Sequence, residues 1–155
     1  MKKLGSILLW GFVIFEVLGV LISTFDDVKY AGYADIVYHS LTIEEELDLE
    51  QAQRYEAKVS PEDLERFHCY LVCAEVENQS SVNDYFWPDY DFSSSDGAFH
   101  HIVLNSSVLA QSQDGYRWTV PAGETMMCRF LMLVDRNAPD VVVEDNPSIR
   151  VELPA

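Results

Sequence analysis

Four histidines, three cysteines and one acid-rich loop are the side chains of this 155-residue chain best suited to do chemistry. A zinc site needs three or four His, Cys or carboxylate ligands converging on one point. His100 and His101 are adjacent, and successive side chains of a strand point to opposite faces, so the pair does not close on one ion. His39 and His68 lie far off in the chain and add no zinc-type spacing. Asp89-Tyr90-Asp91-Phe92-Ser93 followed by Asp96-Gly97 approaches a calcium loop. However, Ser94 stands where the bend glycine belongs and no acid closes the loop, so a strand followed by a turn is the simpler reading. No metal or other cofactor is expected.

Covalent chemistry fares no better. Gly-x-Ser-x-Gly, Ser-x-x-Lys and a phosphate-cradling glycine loop are all missing, so the chain is not expected to be an enzyme. Cys69 and Cys73 share one strand-like segment, four residues or about 13 Å apart, beyond the roughly 7 Å over which two Cα atoms can be bridged. Cys128 falls on the face of Met126, Phe130 and Met132, and Cys73 on that of Glu75 and Glu77. Opposite parity argues against a Cys73–Cys128 bridge and places Cys73 on the solvent side, open to thiol reagents. Asn78-Gln79-Ser80 and Asn105-Ser106-Ser107 have the form of glycosylation acceptors, relevant only to a eukaryotic secretory route.

What remains is binding. Tyr85, Phe86, Trp87 and Tyr90 flank Pro88 and are more aromatic surface than one face of a strand can bury. Most belong to the core. The exposed remainder is the candidate binding surface.

The segment that places this chemistry in space is Leu4–Phe25, LGSILLWGFVIFEVLGVLISTF, apolar except for Glu16. As a helix it would be about 33 Å long, enough for a hydrocarbon core of about 30 Å. Lys2 and Lys3 precede it and Asp26 and Asp27 follow, which orients the C-terminal side outward. The run exceeds a signal-peptide core and no cysteine follows it for lipidation. Residues 1–25 therefore read as an uncleaved signal-anchor in the plasma membrane, 26–34 as a linker and 35–155 as an extracytoplasmic domain. A cleaved, secreted form is the alternative. An intramembrane Glu16 needs a partner, water or a proton. Gly11-Phe12-Val13-Ile14-Phe15-Glu16 resembles the processing site of type IV pilins and pseudopilins, and that resemblance implies a structural subunit engaged through Glu16.

Setting aside Lys2, Lys3 and Glu16, residues 26–155 hold 8 Lys+Arg against 25 Asp+Glu, a net charge of −17. Nucleic acid and anionic lipid headgroups are repelled by such a domain, while cations and basic proteins are attracted. With 48% apolar residues the acid is surface charge on a packed core. Three cysteines do not make a disulfide scaffold.

Along the domain, Asp35–Ile43 reads as the first strand and Glu44–Lys58 as an exposed helix or loop. Ser60-Pro61-Glu62-Asp63 is a helix start that ends by Arg66. Phe67–Glu77 and Thr125–Val134 are the two long strands. Tyr85–Phe92 is limited to an edge by Pro88. Asp96-Gly97 is expected to turn a hairpin into Phe99–Leu104, and Asn105–Asp114 to be a polar loop. Tyr116–Val120 follows Asp114-Gly115, Pro121–Glu124 turns tightly, and Val141–Val143 and Ile149–Leu153 end the chain. About seven strands at this spacing predict an all-β sandwich.

Val76–Ser80 (VENQS), Asp91–Gly97 (DFSSSDG) and Val120–Glu124 (VPAGE), in this order, resemble the telokin-like, immunoglobulin-fold extracellular domain of Gram-positive bacterial surface proteins and lipoproteins. The resemblance spans roughly Glu56 to Leu153. It implies an immunoglobulin-like sandwich displayed at the cell surface and brings no catalytic residues. The chain departs from that pattern in lacking a lipobox cysteine and in inserting Glu44–Arg66. The expected function is a membrane-anchored interaction module whose partner is a protein or an envelope polymer.

Overall fold

The computed structural model describes residues 35–88, 91–97, 100–112 and 115–153, which belong to one unit, 35–155. It is built on two long strands, β2 (Phe67–Asn78) and β7 (Thr125–Asp135), antiparallel and in unbroken register from Phe67↔Asp135 to Glu77↔Thr125. β1 (Ile36–Leu47) flanks β2, and β5 (His101–Leu104) flanks β7, giving the order β1-β2-β7-β5. Two smaller antiparallel sheets complete the set of strands. One pairs β3 (Asp84–Phe86) with β6 (Trp118–Val120). The other has β8 (Asp140–Val143) between β4 (Phe92–Ser93) and β9 (Arg150–Glu152). The described residues are thus mostly antiparallel β-structure with few helices, in keeping with the all-β class, with nine strands against the seven expected.

Alternation dictates the core. Val72, Ala74 and Val76 of β2 and Cys128, Phe130, Met132 and Val134 of β7 share one face and pack against Phe86, Phe92, Trp118, Val141 and Val143 of the smaller sheets. The opposite face is also buried at one end. There Cys69, Leu71, Leu131 and Leu133 are covered by Leu47, Ala52, Ala57 and Val59. The cover is the segment expected to be exposed. β1 runs on to Leu47, and Asp48 then caps a helix, α1 (Leu49–Arg54), through a reciprocal Asp48–Gln51 box with both bonds at 2.8 Å. α2 (Pro61–Arg66) starts at Ser60 and ends where the sequence predicts. Composition showed α1 only a weak apolar face, because the cover is shared by Leu47 at the end of β1, Ala52 of α1, Ala57 and Val59 between the helices and the partly buried Leu64 of α2.

Cys73 corrects a second expectation. It does lie on the face opposite Cys128, yet it is as buried as Cys128, and all three cysteines are free thiols. A β-bulge between Ile43 and Glu45 turns Glu44 outward, and Arg129 reaches across Cys73 to grip it with three hydrogen bonds of 2.9–3.1 Å. The ion pair is the lid over the thiol. β2 and β7 are neighbours in one sheet, so a bridge across the core was never geometrically on offer.

Asp96-Gly97 turns the chain, with Gly97 N–H donating to the Ser94 carbonyl at 2.9 Å and φ +74°. It does not make a hairpin. β4 pairs with β8 and β5 with β7, so the turn carries the chain from one sheet to another. Within the expected polar loop, Ser106 caps a single-turn helix, α3 (Ser107–Ala110). Among the described residues no helix is long and apolar enough to cross a membrane; segment 4–25 with Glu16 lies outside them.

Candidate functional site

Asn78 anchors the corner from which the aromatic surface is presented. It ends β2 fully buried, its Nδ2 donating to the carbonyls of Val82 (2.8 Å) and Val120 (3.0 Å) while its Oδ1 accepts from Ser80 N–H (2.9 Å). Its backbone carbonyl accepts from Gly123 N–H at 2.9 Å, and its own N–H donates to Glu124. The VENQS and VPAGE stretches are therefore one joint. With every polar atom of its amide engaged, Asn78 is a buried structural side chain and no glycan acceptor.

From that joint β3 and β6 run side by side, with Tyr85 opposite Thr119 and Phe86 opposite Trp118. Period-two alternation splits the aromatic cluster. Phe86, 1% exposed, enters the core against Tyr38, Trp118 and Phe130 at ring distances of 5.4–6.3 Å. Tyr85 and Trp87, 48% and 38% exposed, stay outside. Both are held. The Arg117 guanidinium sits 5.2 Å from the Tyr85 ring, and Tyr116 stacks on Trp87 at 6.5 Å with planes 26° apart. Phe86 thus serves the surface only by pinning β3 from below. Tyr90 lies outside the described residues.

Beside this pair a groove of about 420 Å³ opens between α3, β6 and β7. Val108 and Leu109 form one wall, Trp118 and Thr119 another, and Met127 and Arg129 the third. Val108 and Met127 are about half exposed, which is unusual for apolar side chains facing one depression. Thr119 joins groove and aromatics, since it lines the one and lies cross-strand from Tyr85. Residue pattern does reveal Met127 as outward-facing on β7. The end of the strand at Leu104 is legible in the sequence, but the groove itself was hidden, because its walls come from α3, β6 and β7, which meet only in the fold.

The other residues singled out for chemistry are placed apart. His101 turns inward and meets Phe92 edge-on at 5.8 Å, and burial holds its pKa below the ordinary histidine value, with His100 adding repulsion. His100 points away to Asp96 at 2.8 Å. Asp91 of the calcium-like stretch accepts a 2.6 Å hydrogen bond from Tyr38 and is occupied in joining sheets. Among the described residues no group of three His, Cys, Asp or Glu is placed to hold a metal. Compared with known proteins, the chain matches no family model, no curated protein and no solved structure.

Proposed function

We propose that the chain is a tethered interaction module, an immunoglobulin-like sandwich held outside the plasma membrane by residues 4–25 and binding a protein or envelope polymer through Tyr85 and Trp87. One observation carries this reading. Two large aromatic rings, Tyr85 in β3 and Trp87 just past its end, stay on the solvent side of Phe86, which is locked in the core, and each is braced by a neighbour. Aromatics so fixed lose little side-chain freedom on binding, which makes such rings effective interface anchors. The anchor and its orientation rest on the apolar run between Lys3 and Asp26. The sandwich rests on three antiparallel sheets around one core, together with the telokin-like motifs.

The double substitution Tyr85→Ala, Trp87→Ala tests the surface. Crosslinking from the native membrane should recover a partner with the unsubstituted chain and lose at least tenfold of it with the double variant, roughly the effect of one good aromatic anchor. Equal recovery contradicts the reading. Glu16→Leu separates the module from a pilus-like subunit: normal membrane retention and partner capture fit the module, and failed assembly fits the subunit.

A further inference from the structure

The groove is bounded by a stretch of unpaired sheet edge. β5 accompanies β7 only from Leu131 to Val134, as Leu104↔Leu131 through His101↔Val134. Beyond Leu104 the chain leaves the sheet: Ser106 N–H donates to the Gly115 carbonyl at 3.0 Å and Ser106 caps α3. In an antiparallel strand, alternate residues aim both N–H and C=O at the same neighbour. Asp135 N–H donates to the His100 carbonyl at 2.7 Å, so the odd-numbered residues of β7 face the β5 side. The β2–β7 register is unshifted along its whole length, so the alternation persists. Met127 and Arg129 therefore point their backbone groups past the end of β5, toward the groove. Among the described residues no backbone hydrogen bond reaches either of them from that side.

We propose that this edge takes up an extended, basic segment of a partner protein as an added strand, with Met127 and Arg129 supplying the ladder and the groove receiving alternate apolar side chains. The proposal rests on the interaction-module reading and names its partner class. Charge selects the occupant. A second copy, or an anionic polymer, would meet the net −17 of residues 26–155 with like charge. The groove's own cation, Arg129, is already neutralised by Glu44. Acids stand around it: Glu75 lies directly cross-strand from Met127, Glu56 accepts from the Ser107 hydroxyl next to Val108, and Glu124 precedes β7. An added strand alternating basic and apolar residues presents its basic side chains on the face of Met127 and Glu75 and its apolar side chains on the opposite face, that of Met126 and Trp118. The remaining long edge, β1, is protected differently, by two bulges and by Glu44, Glu45 and Glu46 along its length.

The test uses the full chain in detergent micelles and two nine-residue peptides, one alternating lysine and valine, the other glutamate and valine. Backbone amide exchange is followed residue by residue. Saturation with the lysine peptide should slow exchange at Met127 and Arg129 at least tenfold and leave Met126 and Cys128, already bonded to β2, unchanged; the glutamate peptide should do neither. Met127→Pro removes an N–H that belongs to the open edge and not to the β2 ladder. It should melt as the parent does and bind the lysine peptide about five- to tenfold more weakly, the value of one backbone hydrogen bond. Failure of the lysine peptide to bind at millimolar concentration, equal binding of the glutamate peptide, or unchanged exchange at Met127 and Arg129 overturns the proposal. The exchange result stands on the unsubstituted chain even where Met127→Pro does not fold. A partner captured through Tyr85 and Trp87 and retained by Met127→Pro removes strand addition alone. A partner retained by the Tyr85, Trp87 double variant removes the interaction surface itself.

Discussion

Burial pushes the Cys69 thiol up to about 11 and the Cys128 thiol up to about 12, with Glu46 and Cys73 respectively adding to the effect. A raised thiol pKa has a definite sign in stability. Below about pH 8.5 folded and unfolded chains both keep the proton and stability is unaffected. Above that, the unfolded chain releases protons that the folded one retains. Stability should then fall by about 1.4 kcal/mol per pH unit per thiol until the folded thiols ionise near 11 and 12. Urea midpoints between pH 8 and 10 measure this, and Cys69→Ala with Cys128→Ala should flatten the decline. Cys73 is screened by a lid, not by depth. Glu44→Ala should release Arg129 and speed Cys73 labelling in the native state roughly tenfold, with Cys128 unchanged. Glycines differ in the same local way. Gly97 and Gly115 both have φ near +70°, but a Cβ at Gly97 meets open space, whereas one at Gly115 falls 1.7 Å from Asn105 Oδ1 and 2.9 Å from the Ser107 backbone nitrogen. Gly97→Ala should cost about 1 kcal/mol, the backbone term alone, and Gly115→Ala at least twice that. Equal melting points would contradict the close packing at Gly115.

At the scale of elements, the α1–α2 roof makes both faces of β7 structural near its C-terminal end. Leu131, fully buried on the roofed face, should lose about 2–5 kcal/mol on substitution by Ala, whereas Met127→Ala, four residues earlier on that face and half exposed, should stay within about 0.5 kcal/mol. Similar losses at the two positions, measured by chemical denaturation, would mean that the roof carries no stability. Much of this arrangement was legible. Alternation in TMMCRFLMLV assigned the inner face of β7, Ser60-Pro61 announced α2, and the strand-ending Asn78 was visible as a motif. Relations between distant segments were not. The run EEELDLEQAQRYEAK has no strong periodicity, because it is buried by a sheet it meets only after folding. Cys73 followed the parity of Glu75, but its cover comes from Glu44 and Arg129, 29 residues before and 56 after in the chain. Likewise, Tyr85 and Trp87 could be picked out as aromatics in excess and the strand could be seen to end at Leu104, while the groove depends on the cap at Ser106 and the bond to Gly115, which shape the chain beyond that end.

Residues 26–155 are strongly acidic, and Val108 and Met127 are half exposed beside the open edge of β7, with Tyr85 and Trp87 nearby. The net charge makes association with a basic partner fast at low salt and slower as salt rises, because the field is screened over about 8 Å at physiological ionic strength. Raising salt from 0.05 to 0.5 M should lower the association rate at least tenfold and change the dissociation rate much less. A rate independent of salt would contradict the charge argument. The central claim, that the chain binds through the surface shared by Tyr85, Trp87 and the neighbouring groove, is tested most directly by photo-crosslinking in the native membrane. A photoreactive side chain is placed in turn at Tyr85, Trp87, Val108 and Met127, and for comparison at Ser148 in the exposed turn between β8 and β9. One common adduct is expected from the first four positions and none from Ser148. Adducts from Ser148 alone, or the same adducts from all five positions, would contradict it.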